Sequence, residues 1–508
     1  MTRKLQKKHC IVVGGGTAGW LSACYIKSIL REEINVSIVD PDNKGTIGVG
    51  ESTLPTIHRT LEALNIPFQT FIRETNGTIK QGITFKNWLK NNETFYHPYD
   101  LPKSTQLNSS FDSWRSTGFA DSFANFASTQ PHAIINNKSP FRLKQDGSLH
   151  QEFLYSLHID SSEVTRFLKD QSKKIRVKQI KSKVKKVIRR KEIVNSILLE
   201  DGSSLFADLY IDCSGFKRIL NDETNHYEEF SFLPCDMAIA TSASHAKPSI
   251  SPTTTAIAHS AGWLWDIPLF TRRGVGCVFS QAHMSLDKAH STMMQYFGVN
   301  LNEDNFKLIP FKAGNLAQPW HGNVVNIGLS SGFIEPLEST GIYFIEEALA
   351  LLTSIFPRSG DAWARKKFNK EMRDRYQECA DFVYLHYLLS DRSDSKFWSE
   401  FKNPSNIPQH IKDLLEFWDG TPPSGSHFTN GRQIFGLPAH EYILYGMNFT
   451  PNTYTKSKQA SQIPLPDDTL TKSSNHKLGK IKSLLDHNDF LDVAFGKKQP
   501  QQILHKYF

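Results

Sequence analysis

The sequence predicts an α/β protein with a doubly wound, largely parallel core, a mixed or antiparallel second sheet, and an α-helical C-terminal cap. Three stretches carry that prediction. HCIVVGGGTAGWLSACYIKSIL, beginning at residue 9, passes from a buried strand through glycines into an amphipathic helix, and NVSIVD then gives a second strand ending in Asp40. FADLYIDCSGF, residues 206 to 216, is an apolar strand closing on a turn of small residues, and the strand at 324 to 327 is followed by a similar loop. SAGWLWDIPLF, residues 260 to 270, sets Trp263 and Trp265 two apart, and Pro268 discourages helix at the residue before it. Two rings at that spacing share one face of an extended segment.

Composition narrows the class. At 508 residues the chain has room for several domains and a large core. With 39% hydrophobic and 22% charged residues it reads as globular rather than disordered. The 34 phenylalanines suit either an ordinary Phe-rich core or an enclosed apolar ligand. Six cysteines without a CxxC pair fit a reducing cytoplasm and predict no structural disulfide. The apolar run after the basic N-terminus ends at Val13, too short for a secretory signal, and no later run is long enough to span a membrane.

Net charge is +8, much of it within residues 169 to 191, KDQSKKIRVKQIKSKVKKVIRRK. Those lysines could form a nucleic-acid patch. However, Ile175, Val177, Val184 and Val187 fall mostly at even separations, no aromatics interleave for base stacking, and EDGSS at 200 to 204 reads as a hairpin turn. The expectation is a solvated β-meander and no nucleic-acid partner.

The chemistry begins at the first glycines. Strand, Gly14, Gly16, Gly19, helix, strand and terminal acid stand in dinucleotide-binding order, with Asp40 placed 21 residues beyond Gly19. The glycines let backbone approach a pyrophosphate, the helix N-terminus with Thr17 and Ala18 offers unpaired N–H groups, and Asp40 accepts from a ribose hydroxyl. The returning strand that ends at Ser214 and Gly215 resembles the second nucleotide contact of FAD enzymes of the glutathione-reductase and hydroxylase type. A third segment adds Gly328 and Ser331 before a helix expected from about Ile342 to Phe356. The nucleotide-binding part is therefore discontinuous. It is expected at 1–90, 156–220 with the meander, and 321–360; substrate-side segments are expected at 91–155 and 221–320, and a cap at 361–508.

GGGTAGW at 14 to 20, GVGESTLP at 48 to 55, WLWDIP at 263 to 268 and GFIEPLESTGI at 332 to 342 together resemble the flavin-dependent halogenase family, whose best-known members act on tryptophan. The resemblance covers most of residues 9 to 400. It implies a two-component enzyme: a separate reductase, without a stable complex, supplies FADH2. Oxygen adds to it, and halide attacks the flavin hydroperoxide to give hypohalous acid. It further implies that Trp263 and Trp265, with Ile267 and Pro268, wall the flavin off from the organic substrate. Gly50, Glu51, Ser52 and Thr53 would join the cofactor site, and halide would be held at Thr340 and Gly341.

The family captures hypohalous acid with a lysine, matched here by Lys80 in NGTIKQGITFKNW, residues 76 to 88. As one strand, that stretch would place Ile79, Ile83 and Phe85 on an apolar face and both Lys80 and Lys86 on the other. Position after the NG turn selects Lys80. Hydrogen bonding by its ammonium and haloamine formation by its neutral amine are both open. Aromatic substitution also needs a base for the departing ring proton. The family's glutamate matches Glu338, beside Ser339, which can bind the captured oxidant; Glu335 would brace the loop.

Substrate contacts are thinner. FYHPYD at 95 to 100 resembles the family's HPF element, with His97 and Tyr99 as stacking partners, although a solvent-exposed turn histidine fits too. Residues 381 to 398 read as helix and charged turn. Tyr442, Tyr445 and Phe449 recur at helical spacing, as pocket lining or as core. No residues match the family's grip on an amino-acid backbone, which leaves indoles, phenols and carrier-bound acyl groups open. Residues 456 to 480 read as a polar surface loop. No metal site is expected. The rival enzyme is a single-component FAD-dependent aromatic hydroxylase, disfavoured by WLWDIP and Lys80; the sequence is silent on the halide and on oligomeric state.

Overall fold

The computed structural model describes residues 7–42, 50–90, 92–102, 110–119, 121–298, 305–356, 362–428, 433–451 and 479–507. The loop expected at 456 to 480 falls almost wholly outside them, as do Gly48 and Val49 of the GVGESTLP motif. The chain forms two compact units, Met1–Gly77 with Ile159–Ser231 and Ile309–Gln377, and Thr78–His158 with Phe232–Leu308 and Glu378–Phe508.

The first unit is organised by a six-stranded sheet in the order Lys178–Ile180, Ile34–Val39, Lys8–Val13, Leu209–Asp212, Val324–Asn326, Trp320–His321. Its first five strands are parallel, and Trp320–His321 closes the edge antiparallel. Cys10–Val13 and Leu209–Asp212 are buried along their length, as central parallel strands covered on both faces must be. The helix Thr17–Leu30 packs against Ser161–Lys174 and Thr340–Ile355.

The basic stretch differs from expectation in its first part. Residues 169 to 174 belong to the helix Ser161–Lys174, whose N-cap Asp160 accepts from the N–H groups of Ser162 and Glu163. Lys173 and Lys174 fall in its last turn, where they complement the helix dipole. Beyond it, Lys178–Ile180 is the edge strand of the parallel sheet, and Val184–Arg190 opens a three-stranded antiparallel sheet with Ile193–Leu199 and Ser204–Leu205. Val194, Ile197 and Leu199 pack with Ile11, Tyr210 and Val324, and the lysines at 185 and 186 are exposed.

In the second unit a mixed sheet runs Met237–Ala243, Arg273–Phe279, Gly262–Pro268, Thr254–His259, Gly82–Lys86, Thr94–Pro98. Thr254–His259 and Gly82–Lys86 pair parallel, the other neighbours antiparallel. The stretch 78 to 86 is not one strand. It breaks at Gln81: Thr78–Lys80 pairs antiparallel with 156 to 158, and Gly82–Lys86 enters the mixed sheet. Gly82 has φ 142°, and a Cβ there would meet the His97 carbonyl oxygen at 2.3 Å, so the switch of sheet requires glycine. Thr78 onward thus joins the second unit, thirteen residues before the boundary expected at 90.

All six cysteines are free and buried. Among the described residues no helix is long and apolar enough to cross a membrane.

Candidate active site

The first unit carries the glycine motif and the other residues expected to bind nucleotide. Gly14 has φ 121°, and a Cβ on it would lie 2.3 Å from the Cys213 carbonyl oxygen; one on Gly19 would lie 1.8 Å from the Gly14 oxygen. These two glycines bind the loop to its neighbouring strand and helix. Gly16 instead has no atom of the described residues within 4 Å of a Cβ, and the same holds for Gly215 and Gly341. Gly16 is also the N-cap of Thr17–Leu30, without a side-chain cap and with no acid in the first turn, which leaves its N–H groups for an anion.

Asp40 is buried and each oxygen is engaged: Oδ1 accepts from the Asp42 N–H, and Oδ2 from Trp20 Nε1 and Gln179 Nε2. Its carboxylate also fills the space a Cβ on Gly15 would need. Asp40 therefore braces the glycine loop, a role the sequence reading did not give it. Ser214 is held by Asp212, which accepts from its N–H at 2.9 Å and its hydroxyl at 2.6 Å. Burial raises the Glu51 carboxyl to about 7, with the Asp160 charge adding to the effect. Ser52 and Thr53 are buried.

The helix expected from Ile342 begins at Thr340 and ends at Ile355. Its N-cap Ser339 holds a left-handed backbone, φ 63°, uncommon for a residue with a side chain. Glu335 and Glu338 are both 1% exposed, so neither is a surface acid. Thr340 Oγ1 and Ser331 Oγ are buried without a hydrogen-bond partner among the described residues. Such orphaned groups are costly unless something satisfies them. Two unmet hydroxyls, three glycines facing open space and an uncapped helix N-terminus fit FAD and halide in this unit.

The second unit carries the lysine and the tryptophans. Lys80 is fully buried, whereas Lys86 is exposed, so the two candidates do not share an environment. Lys80 Nζ lies 5.3 Å from the centroid of the Tyr99 ring, within cation–π range. Ser156 stands opposite Lys80, and its hydroxyl donates to the Tyr99 oxygen at 3.2 Å. His97 is a buried strand residue, not a turn histidine, with ring centroids 6.0 Å from both Phe382 and Tyr442.

The strand Gly262–Pro268 is buried at every position. Trp263 and Trp265 share a face with ring centroids 6.2 Å apart, and both indole N–H groups lack a partner among the described residues. Trp265 lies over Gly276 of the next strand, where a Cβ would come within 2.1 Å of its ring. Ile267 and Pro268 complete the strand. On its opposite face Asp266 accepts from Arg273 and from the Tyr296 hydroxyl, each at 2.5 Å. The acid that follows the tryptophan pair is thus an anchor for the strand.

Tyr442 and Tyr445 are both 1% exposed, in a cluster with Phe111, Trp114 and Phe123, and Phe449 packs on the same cluster. The Tyr442 hydroxyl donates to the Asp100 carbonyl oxygen at 3.0 Å. The helix Leu437–Gly446 ends before Phe449, so the helical spacing that linked the three rings does not extend to it.

Some residues of interest escaped the sequence reading. Thr78 and His158 form a buried polar pair beside Lys80, and Glu346 is a buried acid within Thr340–Ile355. Thr78 could have been found from its alternation with Lys80; His158 carries no local signal.

The profile of the tryptophan halogenase family matches residues 9–462. Tryptophan 7-halogenase RebH of Lentzea aerocolonigenes is 32% identical over 475 residues, 88% of this chain and 86% of that protein. Tryptophan 6-halogenase SttH of Streptomyces toxytricini is 30% identical over 464 residues, 85% and 87% of the two chains. The structure of BrvH, a flavin-dependent halogenase from Brevundimonas sp. BAL3, superposes with TM-score 0.85 at 28% identity, covering 97% of this chain and 100% of that one. This chain is accordingly a flavin-dependent halogenase of the tryptophan halogenase family, an enzyme that uses FADH2 and halide.

Proposed function

We propose that the chain halogenates an indole-bearing substrate, with Lys80 delivering the electrophilic halogen and a separate flavin reductase supplying FADH2. The observation that carries the lysine assignment is a fully buried Lys80 whose ammonium faces the Tyr99 ring. Keeping a lysine from water needs a reason, because burying an ammonium is costly. The Tyr99 ring offsets part of that cost; a charged amine would hydrogen-bond hypohalous acid, and a neutral one would form a haloamine.

Bound FADH2 supplies the oxygen chemistry that oxidises halide. Gly14, Gly16, Thr17, Ala18 and Gly19 would hold the pyrophosphate, with Gly50, Glu51, Ser52, Thr53, Ser214, Gly215, Gly328, Ser331 and Ile342 around the rest. Thr340 and Gly341 would hold halide with N–H groups at the start of their helix. Trp263 and Trp265, backed by Ile267 and Pro268, would serve as the barrier to organic molecules. Glu338 would take the ring proton after halogen adds, with Ser339 orienting the oxidant. The named relatives act on tryptophan, which supports the indole ring; His97 and Tyr99 would stack on it.

The test is incubation of the protein with FAD, a flavin reductase, NADH, oxygen, each halide and a panel of tryptophan, indoles and phenols, followed by mass analysis. Halogenated indole is the expected product. Rapid NADPH oxidation by the protein alone, with hydroxylated product and no halogenated one, would overturn the proposal.

A further inference from the structure

Thr78, Lys80, Ser156 and His158 lie on one face of a two-strand pairing, Thr78 opposite His158 and Lys80 opposite Ser156. All four are fully buried. Directly opposed residues of an antiparallel pair project to the same side, so the lysine shares its chamber with an imidazole.

The hydrogen bonds fix how that imidazole is used. Thr78 Oγ1 lies 2.5 Å from the Pro268 carbonyl oxygen, which can only accept, so the single hydroxyl proton of Thr78 goes there. His158 Nδ1, at 2.9 Å from the same hydroxyl oxygen, must then be the donor. A neutral imidazole has one N–H, so Nε2 is bare and accepts from the Thr254 hydroxyl at 3.0 Å. Burial, with the Lys80 charge and His487 adding to it, holds His158 well below the ordinary histidine range and keeps it neutral. With both ring nitrogens occupied, His158 is not a base for Lys80.

Its partners lie on three strands. Thr78 belongs to the lysine strand, Pro268 ends the tryptophan strand, and Thr254 opens the strand paired with both Gly262–Pro268 and Gly82–Lys86. Gln81 and Gly82, next in the chain, are where the backbone changes sheets, so backbone pairing alone does not fix the lysine strand against the tryptophan strand.

We propose that His158 is a positioning residue for halogen transfer: its Nδ1–H orients the Thr78 hydroxyl onto the Pro268 carbonyl, fixing the lysine strand to the end of the tryptophan strand. The inference rests on the reading of Lys80 as the residue that delivers halogen. Displacements of about 1 Å in such an arrangement cost on the order of 100-fold in rate. The loss falls on transfer, not on oxidation of halide, so oxidant formed in the first unit escapes instead of reaching substrate.

The experiment uses the full-length protein with FAD, flavin reductase, NADH, bromide and tryptophan or indole, whichever gives product. Halogenated product and free hypohalous acid, captured by a diketone trap, are measured against flavin oxidised. His158→Leu and Thr78→Val are expected to lower the product fraction 10- to 100-fold and to raise the trapped fraction. His158→Asn, whose amide can donate from near the Nδ1 position, is expected to recover at least a third of the parent product fraction. A parent-like product fraction in Thr78→Val, or in a folded His158→Leu, overturns the proposal; so does His158→Asn behaving like His158→Leu, which would make the loss one of packing. If His158→Leu does not fold, Thr78→Val decides. Lys80→Ala is run alongside: undiminished product there refutes the lysine reading itself.

Discussion

Replacing Glu346 by Gln should stabilise the protein, and only at high pH. Glu346 lies inside Thr340–Ile355, 4% exposed, with Oε2 accepting from the Thr56 hydroxyl at 2.6 Å and Oε1 without a partner. Burial is the main reason its carboxyl rises to about 7, offset partly by Thr56 and Thr60. Between the ordinary ~4.3 and that value the folded chain keeps a proton that the unfolded chain has released, so stability falls as pH rises through this window. The stabilisation is complete below ~4.3 and gone above about 7; at ~1.36 kcal/mol per pH step the change is roughly 3–4 kcal/mol. Gln reproduces the shape of the protonated acid and cannot ionise. The difference in unfolding free energy between Glu346→Gln and parent should therefore be near zero at pH 4, grow through pH 7 and level off by pH 9, as read from denaturant midpoints at each pH. A difference that does not change with pH, or a variant less stable than the parent at pH 9, would refute the assignment of a buried, proton-holding acid.

Lys80→Ala should abolish halogenated product while hypohalous acid still reaches a diketone trap, and Lys80→Arg should not restore product, because a planar guanidinium is a poor replacement for a compact ammonium. Thr340→Val removes an unmet hydroxyl at the proposed halide site; halide KM should rise by about 5- to 10-fold, in line with one lost hydrogen bond of ~1 kcal/mol, with little change in the substrate's KM. Gly276→Ala puts a Cβ within 2.1 Å of the Trp265 ring. The ring must move, so stability should fall by about 1–3 kcal/mol and tryptophan fluorescence should change; an unaltered spectrum and stability would mean that the ring is not seated there.

The nucleotide-binding fold was readable because its signals are local: glycines between a strand and a helix, and a second strand closing on Asp40. The roles proposed for Lys80 and the tryptophan pair rest on short motifs. One miss comes from side-chain alternation that continues across a backbone break. Ile79, Ile83 and Phe85 keep their period through Gln81 and Gly82, so one strand was expected where two short strands in different sheets occur. Lys169 to Lys174 could not be told from strand because charged residues dominate both faces, and the helix shows in the capping Asp160 upstream. Tyr442 and Tyr445 have the spacing of either a core or a pocket, and only their neighbours decide. His158 matters through residues 80 and 96 positions away in the chain, a relation that no single stretch contains.

The anchoring of the Gly262–Pro268 strand bears on how substrate scope can be changed. Trp265 is seated on a glycine, Asp266 is tied to Arg273 and Tyr296, and Pro268 receives the Thr78 hydroxyl. A variant library aimed at this strand would mostly sample misfolded proteins, since every position doubles as framework. Tyr99 is only partly covered, so directed evolution toward bulkier aromatics has more latitude at the positions around it.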